Sequence, residues 1–375
     1  MEEELRVIIS GGGTGGHIFP AIAIANAIKA KHPEAKILFV GAEGRMEMQR
    51  VPTAGYEIKG LPVCGFDRKN LLKNIVVLYK LAKSQLKARK IIKEFKPQVA
   101  VGVGGYASGP TLKVAGMMGI PTLIQEQNSY AGVTNKLLAK KAKKICVAYE
   151  GMERFFEKDK IILTGNPVRQ GLLENKTDKQ EALKSFNLNA DRKTILIVGG
   201  SLGARTINQS VLANIELIRN SNIQFIWQTG KIYFEQAKAA IEKEGELPML
   251  YVTDFISKME NAYSVADLVI SRAGAGSISE FCLLGKPVIL VPSPNVAEDH
   301  QTKNAMALVK KNAAICIKDN EAVENLIRTA VEIVKDDNKL NELSKNIVTL
   351  AHNNSANIIA EEVFKLADNY RKDER

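Results

Sequence analysis

Two glycine-rich turns, each directly after a short apolar run and directly before a helical pattern, restrict this chain to folds that set helix N-termini above strand ends. Residues 5–16 read Leu-Arg-Val-Ile-Ile-Ser and then Gly-Gly-Gly-Thr-Gly-Gly. Residues 194–204 repeat the design, with Thr-Ile-Leu-Ile-Val followed by Gly-Gly-Ser-Leu-Gly-Ala. A strand, a tight turn and a helix start leave backbone N–H groups facing whatever lies above the strand, an arrangement suited to phosphate. Two such openings about half a chain apart predict an α/β protein of two doubly wound Rossmann-like domains facing across a cleft.

Gly11, Gly13 and Gly16 satisfy G-x-G-x-x-G, the pattern of dinucleotide sites, which also wants an acid at the end of the second strand for the ribose. Here strand 36–40 runs into Gly41 and Ala42, with Glu43 arriving late, and the matching strand Ile223 to Trp227 ends in Gln228, Thr229 and Gly230. The expectation is therefore no dinucleotide cofactor, and Gly11 and Gly199 read as residues that merely permit tight turns.

At 375 residues and 45% hydrophobic content the chain is able to bury two cores. Cys64, Cys146, Cys282 and Cys316 have no C-x-x-C spacing, which predicts reduced thiols and no zinc site. The acidic start Met-Glu-Glu-Glu and the lack of an apolar run of ~18 residues predict a protein neither secreted nor membrane-spanning. Charge is unevenly shared: residues 1–165 hold 26 Lys and Arg against 14 Asp and Glu, whereas the remainder holds 26 against 27. Much of the excess falls in 68–96, where Leu71, Leu72, Ile75, Leu78 and Tyr79 recur at helical spacing beside Lys69, Lys73, Lys80, Lys83 and Lys87. Such a face suits an anionic membrane surface; it equally suits a helix that packs on a core with its lysines in water. Nucleic acid is the weaker reading, because aromatic residues make up only 6% of the chain and no binding motif is present.

Strand patterns fall near 5–10, 36–40, 98–103, 121–124, 145–148 and 161–164, then near 194–198, 223–228, 249–253, 267–271, 287–291 and 313–317. Helical patterns lie between them and finish the chain at 320–335, 338–351 and 356–370. The expected division is 1–165 for a basic first domain and 166–354 for a second, with the helix of about 355–375 packing back on the first. Sheets of this type bind ligands at the carboxyl ends of their strands. Those ends carry Gly104 to Pro110, Gln125 to Asn128, and Arg272 to Glu280. A carboxylate at Glu280 suits the two hydroxyls of a ribose; the alternative is a helix-start acid interacting with the dipole.

Six strings in order then carry a resemblance: Gly12-Gly-Thr-Gly-Gly-His17, Gly102 to Pro110, Glu126-Gln-Asn128 with Ala131 to Asn135, Gly165-Asn-Pro-Val-Arg169, Gly199 to Arg205, and Ser271-Arg-Ala-Gly274 with Ser279-Glu280. From about residue 5 to 365 the chain closely resembles the MurG family of bacterial peptidoglycan glycosyltransferases. The resemblance implies a GT-B fold and inverting transfer of N-acetylglucosamine from UDP-N-acetylglucosamine to the C4 hydroxyl of the muramyl sugar of lipid I, giving lipid II. It implies a peripheral enzyme on the cytoplasmic face of the cell membrane, with a part in cell shape and division. Inverting transfer needs a base and stabilisation of a departing diphosphate. His17 and Glu126 are the titratable groups best placed for the base and its orienter. By the same resemblance Thr14, Gly15, Gly16 and Asn128 contact substrate, Ser201 holds a phosphate, Arg169 and the Ile256 backbone hold the uracil, Glu280 the ribose, and Ala275, Gln301 and Asn304 the sugar hydroxyls. The segment Pro294 to Gln301 is a loose match to the family pattern. No Asp-x-Asp occurs, which predicts no tightly bound metal and leaves the diphosphate to helix N-termini and Ser201. Two rival readings are a UDP-sugar epimerase on the same fold and a nucleic-acid-binding role for the basic half.

Overall fold

A computed structural model describes residues 4–65, 73–168, 172, 177–200, 202–245 and 247–373. Its contacts divide the chain into two compact units, residues 1–169 with 352–375 and residues 170–351.

The first unit holds seven strands: β1 (Arg6–Ser10), β2 (Lys36–Ala42), β3 (Glu57–Leu61), β4 (Val99–Gly102), β5 (Thr122–Glu126), β6 (Lys144–Val147) and β7 (Ile161–Leu163). They form one parallel sheet in the order β3-β2-β1-β4-β5-β6-β7. Its inner strands are mostly apolar because both faces are covered, as parallel sheets require. Side chains alternate between the faces. Val7, Ile9, Phe39 and Val101 pack with Ile24 and Ile28 of helix Gly15–Lys31 and with Ile359 and Val363 of helix Ser355–Asp373. Ile8, Leu38 and Ala100 pack on the other side with Ile91 and Ile92 of helix Lys73–Phe95 and Val114 of helix Ser108–Met117.

β3 and the short helix Glu47–Thr53 before it are elements the sequence patterns did not reveal. β3 is an edge strand in which only Leu61 is buried, so Glu-Ile-Lys-Gly-Leu carries little of the apolar signal that marks its neighbours.

The second unit holds β8 (Thr194–Val198), β9 (Gln224–Gln228), β10 (Leu250–Thr253), β11 (Leu268–Ser271), β12 (Val288–Leu290) and β13 (Ile315–Cys316). They form a parallel sheet ordered β10-β9-β8-β11-β12-β13. Phe225 and Trp227 are fully buried against Ile195, Ile197 and Leu326. The indole of Trp227 donates to Asn208 Oδ1 at 2.9 Å, so its one polar atom is satisfied in the core.

In both sheets the strand order reverses at the first strand, where β1 lies between β2 and β4, and β8 between β9 and β11. The carboxyl end at such a reversal is where a doubly wound sheet opens a crevice for ligands. Both glycine turns therefore sit at a switch point. The four cysteines are free, and burial pushes the Cys146 and Cys282 thiols up to about 12. Among the described residues no helix is long and apolar enough to cross a membrane.

Candidate functional site

In the first unit the Ser10 hydroxyl donates to the Val40 carbonyl at 2.9 Å, tying the end of β1 to β2. The chain then turns through Gly12 and Gly13, with φ of +153° and +88°. Close approach makes small residues necessary here. A Cβ on Gly11 would lie 2.1 Å from Val103 Cγ2, and one on Gly105 would lie 2.3 Å from the Gly12 carbonyl oxygen. The turn after β1 and the turn after β4 thus lie against each other. Helix Gly15–Lys31 starts after Thr14, whose carbonyl accepts the N–H groups of His17 and Ile18 at 3.1 Å each. Thr14 and Gly16 are exposed and Gly15 is half-buried.

His17 Nδ1 lies 3.0 Å from the Gly12 carbonyl oxygen and 3.5 Å from Thr14 Oγ1. A carbonyl only accepts, so Nδ1 carries the proton and the basic lone pair belongs to Nε2. The Nε2 edge lies against the second turn, where a Cβ on Gly104 would come within 2.9 Å of both Cδ2 and Nε2. A third partner of this turn had no sequence signal. Glu47, only 1% exposed, accepts the Gly13 N–H at 2.9 Å and the Ala42 N–H at 3.0 Å.

Glu126 ends β5 and is equally buried. Its Oε1 accepts from Asn128 N (3.0 Å) and Asn128 Nδ2 (3.3 Å), and its Oε2 from Gly132 N (3.0 Å) and Asn135 Nδ2 (2.8 Å). Four donors are the full complement for two carboxylate oxygens. The Gly12 carbonyl accepts from the His17 ring, and Glu126 organises the loop 127–132 in which Asn128 sits. Behind it, Gln125 Nε2 donates to Asn166 Oδ1 (3.0 Å), Asn166 Nδ2 to the Gln127 carbonyl (3.0 Å) and Gln127 Nε2 to the Val103 carbonyl (2.7 Å).

In the second unit the turn after β8 packs on the turn after β9, for a Cβ on Gly230 would lie 2.2 Å from the Gly203 nitrogen. Gln228 ties three strand ends together: its Oε1 accepts the Ile256 N–H at 2.9 Å and its Nε2 donates to the Gly200 carbonyl at 3.1 Å. The Ile256 N–H is thus already engaged, which leaves a base the carbonyl side of that backbone. Asn208 Nδ2 donates to the Thr229 carbonyl at 2.8 Å. Arg169 and Ser201 lie outside the described residues.

Helix Ala275–Leu284 begins after Gly274, and a Cβ on Gly276 would meet nothing within 4 Å, so this helix start is open. Glu280 lies beyond the first turn, where a dipole effect has faded. Its Oε2 accepts the Tyr263 hydroxyl at 2.9 Å. Gln301 Oε1 accepts the Ser293 N–H at 2.8 Å. Asn304 is fully enclosed, its Nδ2 at 3.4 Å from the Ala273 carbonyl, so it supports the turn before Ala275 from behind. Arg272 pairs with Asp319 at 2.5 Å and donates to the Val291 and Pro292 carbonyls, pinning the ends of β11 and β12. Among the described residues no three His, Cys, Asp or Glu side chains gather as a metal site.

Helix Lys73–Phe95 buries Val77, Ser84, Ala88, Ile91 and Ile92. Leu78 and Tyr79 face outward, 56% and 67% exposed, as do Val76 and Leu86. Lys83 and Lys87 are exposed and Lys80 half-buried; Lys87 pairs with Glu43 at 2.7 Å. Lys69, Leu71 and Leu72, and the side chains of Lys73 and Ile75, lie outside the described residues.

Residues 7–147 match the glycosyltransferase family 28 N-terminal domain and residues 194–362 its C-terminal domain. A protein of Phocaeicola vulgatus named UDP-N-acetylglucosamine--N-acetylmuramyl-(pentapeptide) pyrophosphoryl-undecaprenol N-acetylglucosamine transferase is 76% identical, with 100% of this chain and 99% of that protein covered. The crystal structure of Acinetobacter baumannii MurG is 28% identical and superposes with a TM-score of 0.76, covering 96% of this chain and 99% of that one. A Neisseria meningitidis UDP-GlcNAc 2-epimerase bound to UDP-GlcNAc is 16% identical with a TM-score of 0.66, covering 97% and 100%, a likeness of fold alone.

Proposed function

The chain belongs to glycosyltransferase family 28, and from that premise we propose that it transfers N-acetylglucosamine from UDP-N-acetylglucosamine to lipid I, forming lipid II. The observation that carries the reading to the level of chemistry is the His17 ring, held by Nδ1 on the Gly12 carbonyl so that Nε2 is the basic atom at a sheet switch point. His17 is then the general base that takes the proton of the C4 hydroxyl as it attacks the anomeric carbon. Glu126, with its oxygens already engaged, is a positioning residue for Asn128 and the loop beside the acceptor. Thr14, Gly15 and Gly16 supply backbone and hydroxyl contacts to the acceptor.

In the second unit the turn 199–204, at the start of helix Arg205–Ala213, meets the charge that develops on the departing diphosphate. Ser201 adds its hydroxyl there. The Ile256 carbonyl and Arg169 hold the uracil, Glu280 the ribose, and Ala275 and Gln301 the sugar, with Asn304 acting through the Ala273–Gly274 backbone. A transfer assay with radiolabelled UDP-N-acetylglucosamine and a lipid I analogue tests the reading. UDP release that requires the acceptor is the expected result, and turnover of the donor without any acceptor breaks it.

The acceptor is lipid-linked, so the first unit docks on the anionic cytoplasmic leaflet. Exposed Val76, Leu78, Tyr79 and Leu86 beside Lys80 and Lys83 support this. Each cation held near such a surface contributes ~1 kcal/mol, weakened by salt. Exchanging Lys69, Lys73 and Lys80 for Glu is expected to release the protein from anionic vesicles while activity on a water-soluble acceptor stays close to wild type. Equal vesicle binding at low salt places the docking surface elsewhere.

A further inference from the structure

Glu47 belongs to none of the motifs above, yet it is built into the first glycine turn. Its stem passes between two glycines: a Cβ on Gly41 would lie 2.6 Å from Glu47 Cγ, and one on Gly12 would lie 2.2 Å from its Oε1. One oxygen anchors the Ala42 N–H at 3.0 Å and the other the Gly13 N–H at 2.9 Å. The Gly13 N–H and the Gly12 C=O are the two ends of a single planar peptide unit. Glu47 therefore grips one end of the peptide whose other end takes the His17 Nδ1–H at 3.0 Å.

We propose that Glu47 is a positioning residue for the transfer reaction, acting on His17 through the Gly12–Gly13 peptide. A peptide flanked by two glycines flips at small cost, because neither residue penalises the alternative φ and ψ. The carboxylate locks it. By accepting at the N–H it also polarises the C=O, making that oxygen a stronger acceptor for the imidazole. The arrangement does the work of the carboxylate in a Ser-His-Asp triad, fixing ring orientation and tautomer, with a peptide unit interposed. Two N–H donors need two accepting oxygens, so the side-chain amide of glutamine is not an equivalent: its NH2 faces one of the two N–H groups.

The proposal rests on His17 being the base, and its test separates the two claims. Nitrogen-15 NMR of the histidine rings in the full-length protein reads the tautomer directly; His17 is one of 4 histidines and is assigned by its loss in His17→Asn. In Glu47→Gln the His17 ring signals are expected to move toward the mixed tautomer of free imidazole, with the other histidines unchanged. Turnover on the lipid I analogue should fall roughly tenfold or more while KM for UDP-N-acetylglucosamine stays within about twofold. Should Glu47→Gln fail to fold, Glu47→Asp keeps the charge with a shorter reach and should show the same ring shift in smaller measure. Wild-type ring signals in the folded variant overturn the proposal, whatever the turnover. Wild-type turnover in His17→Asn overturns the reading of His17 as base, a failure recognised without reference to Glu47.

Discussion

The two glycine turns look alike in sequence and are braced by opposite chemistry. Behind the turn at 11–16 stands a buried carboxylate, Glu47, which takes the Gly13 amide; behind the turn at 199–204 stands the neutral amide of Gln228, which donates to the Gly200 carbonyl. An acid beside the second turn's helix, Asp319, accepts the Thr206 hydroxyl and is paired with Arg272. A unit charge ~8 Å from a phosphate is worth about 2 kcal/mol at an effective dielectric of ~20. A carboxylate under a turn therefore discourages a diphosphate and suits a neutral hydroxyl beside a base, whereas neutral amides leave the helix N-terminus at full strength for an anion. Glycine spacing announces a turn; the residue behind it decides what the turn is for.

That contrast breaks most visibly at His17. His17→Ala should lower kcat by ~10²–10⁴, the usual share of a general base, with UDP affinity by calorimetry unchanged. Loss of UDP affinity at normal turnover would move His17 to the donor half. On the other side, Glu280→Ala should cost about 1.5–3 kcal/mol in UDP binding, the range for hydrogen bonds to a charged group. An unaltered Kd in the folded variant removes Glu280 from the nucleotide. Charge itself is probed by Gln228→Glu, which keeps the shape but puts a carboxylate behind the second turn. UDP binding should weaken about tenfold or more, or ~1.4 kcal/mol, and more than in Gln228→Ala; equal losses would mean that only the hydrogen bonds matter. The smallest effect is expected for Tyr263→Phe, which deletes the donor to Glu280 and should cost UDP binding about 0.5–1.5 kcal/mol. A loss as large as that of Glu280→Ala would make the tyrosine the principal contact.

Strands such as Val7–Ile9 and Ile195–Val198 were legible because a sheet covered on both faces writes continuous apolar runs. β3 was not, since an edge strand with one buried residue writes almost nothing. In the site, His17, Glu126 and Glu280 stood out as titratable groups at strand ends and helix starts. The buried acid behind the His17 turn did not. Glu47 looks like any surface acid until the fold brings Gly12 and Gly41, 29 residues apart in the chain, to either side of its stem. Asn304 offers the same lesson in reverse: the sequence presents an amide near a loop, and only burial reveals that it faces the Ala273 backbone. Sequence exposes the reactive groups and keeps the partners of His17 and Glu126 close to them in the chain, while the brace from Glu47 to Gly13, 34 residues away, is set by the fold.

Ile359, Ala360, Val363, Leu366 and Ala367 of the last helix share a core with Ile9, Ile24 and Val101 of the first unit. A ribosome delivers those residues only after the whole second unit has emerged, so until then helix Gly15–Lys31 covers that side of the sheet without its neighbour. The second unit, continuous from 170 to 351, is under no such delay. The half made first is thus finished last, and its nascent form is the one that presents bare apolar surface to chaperones.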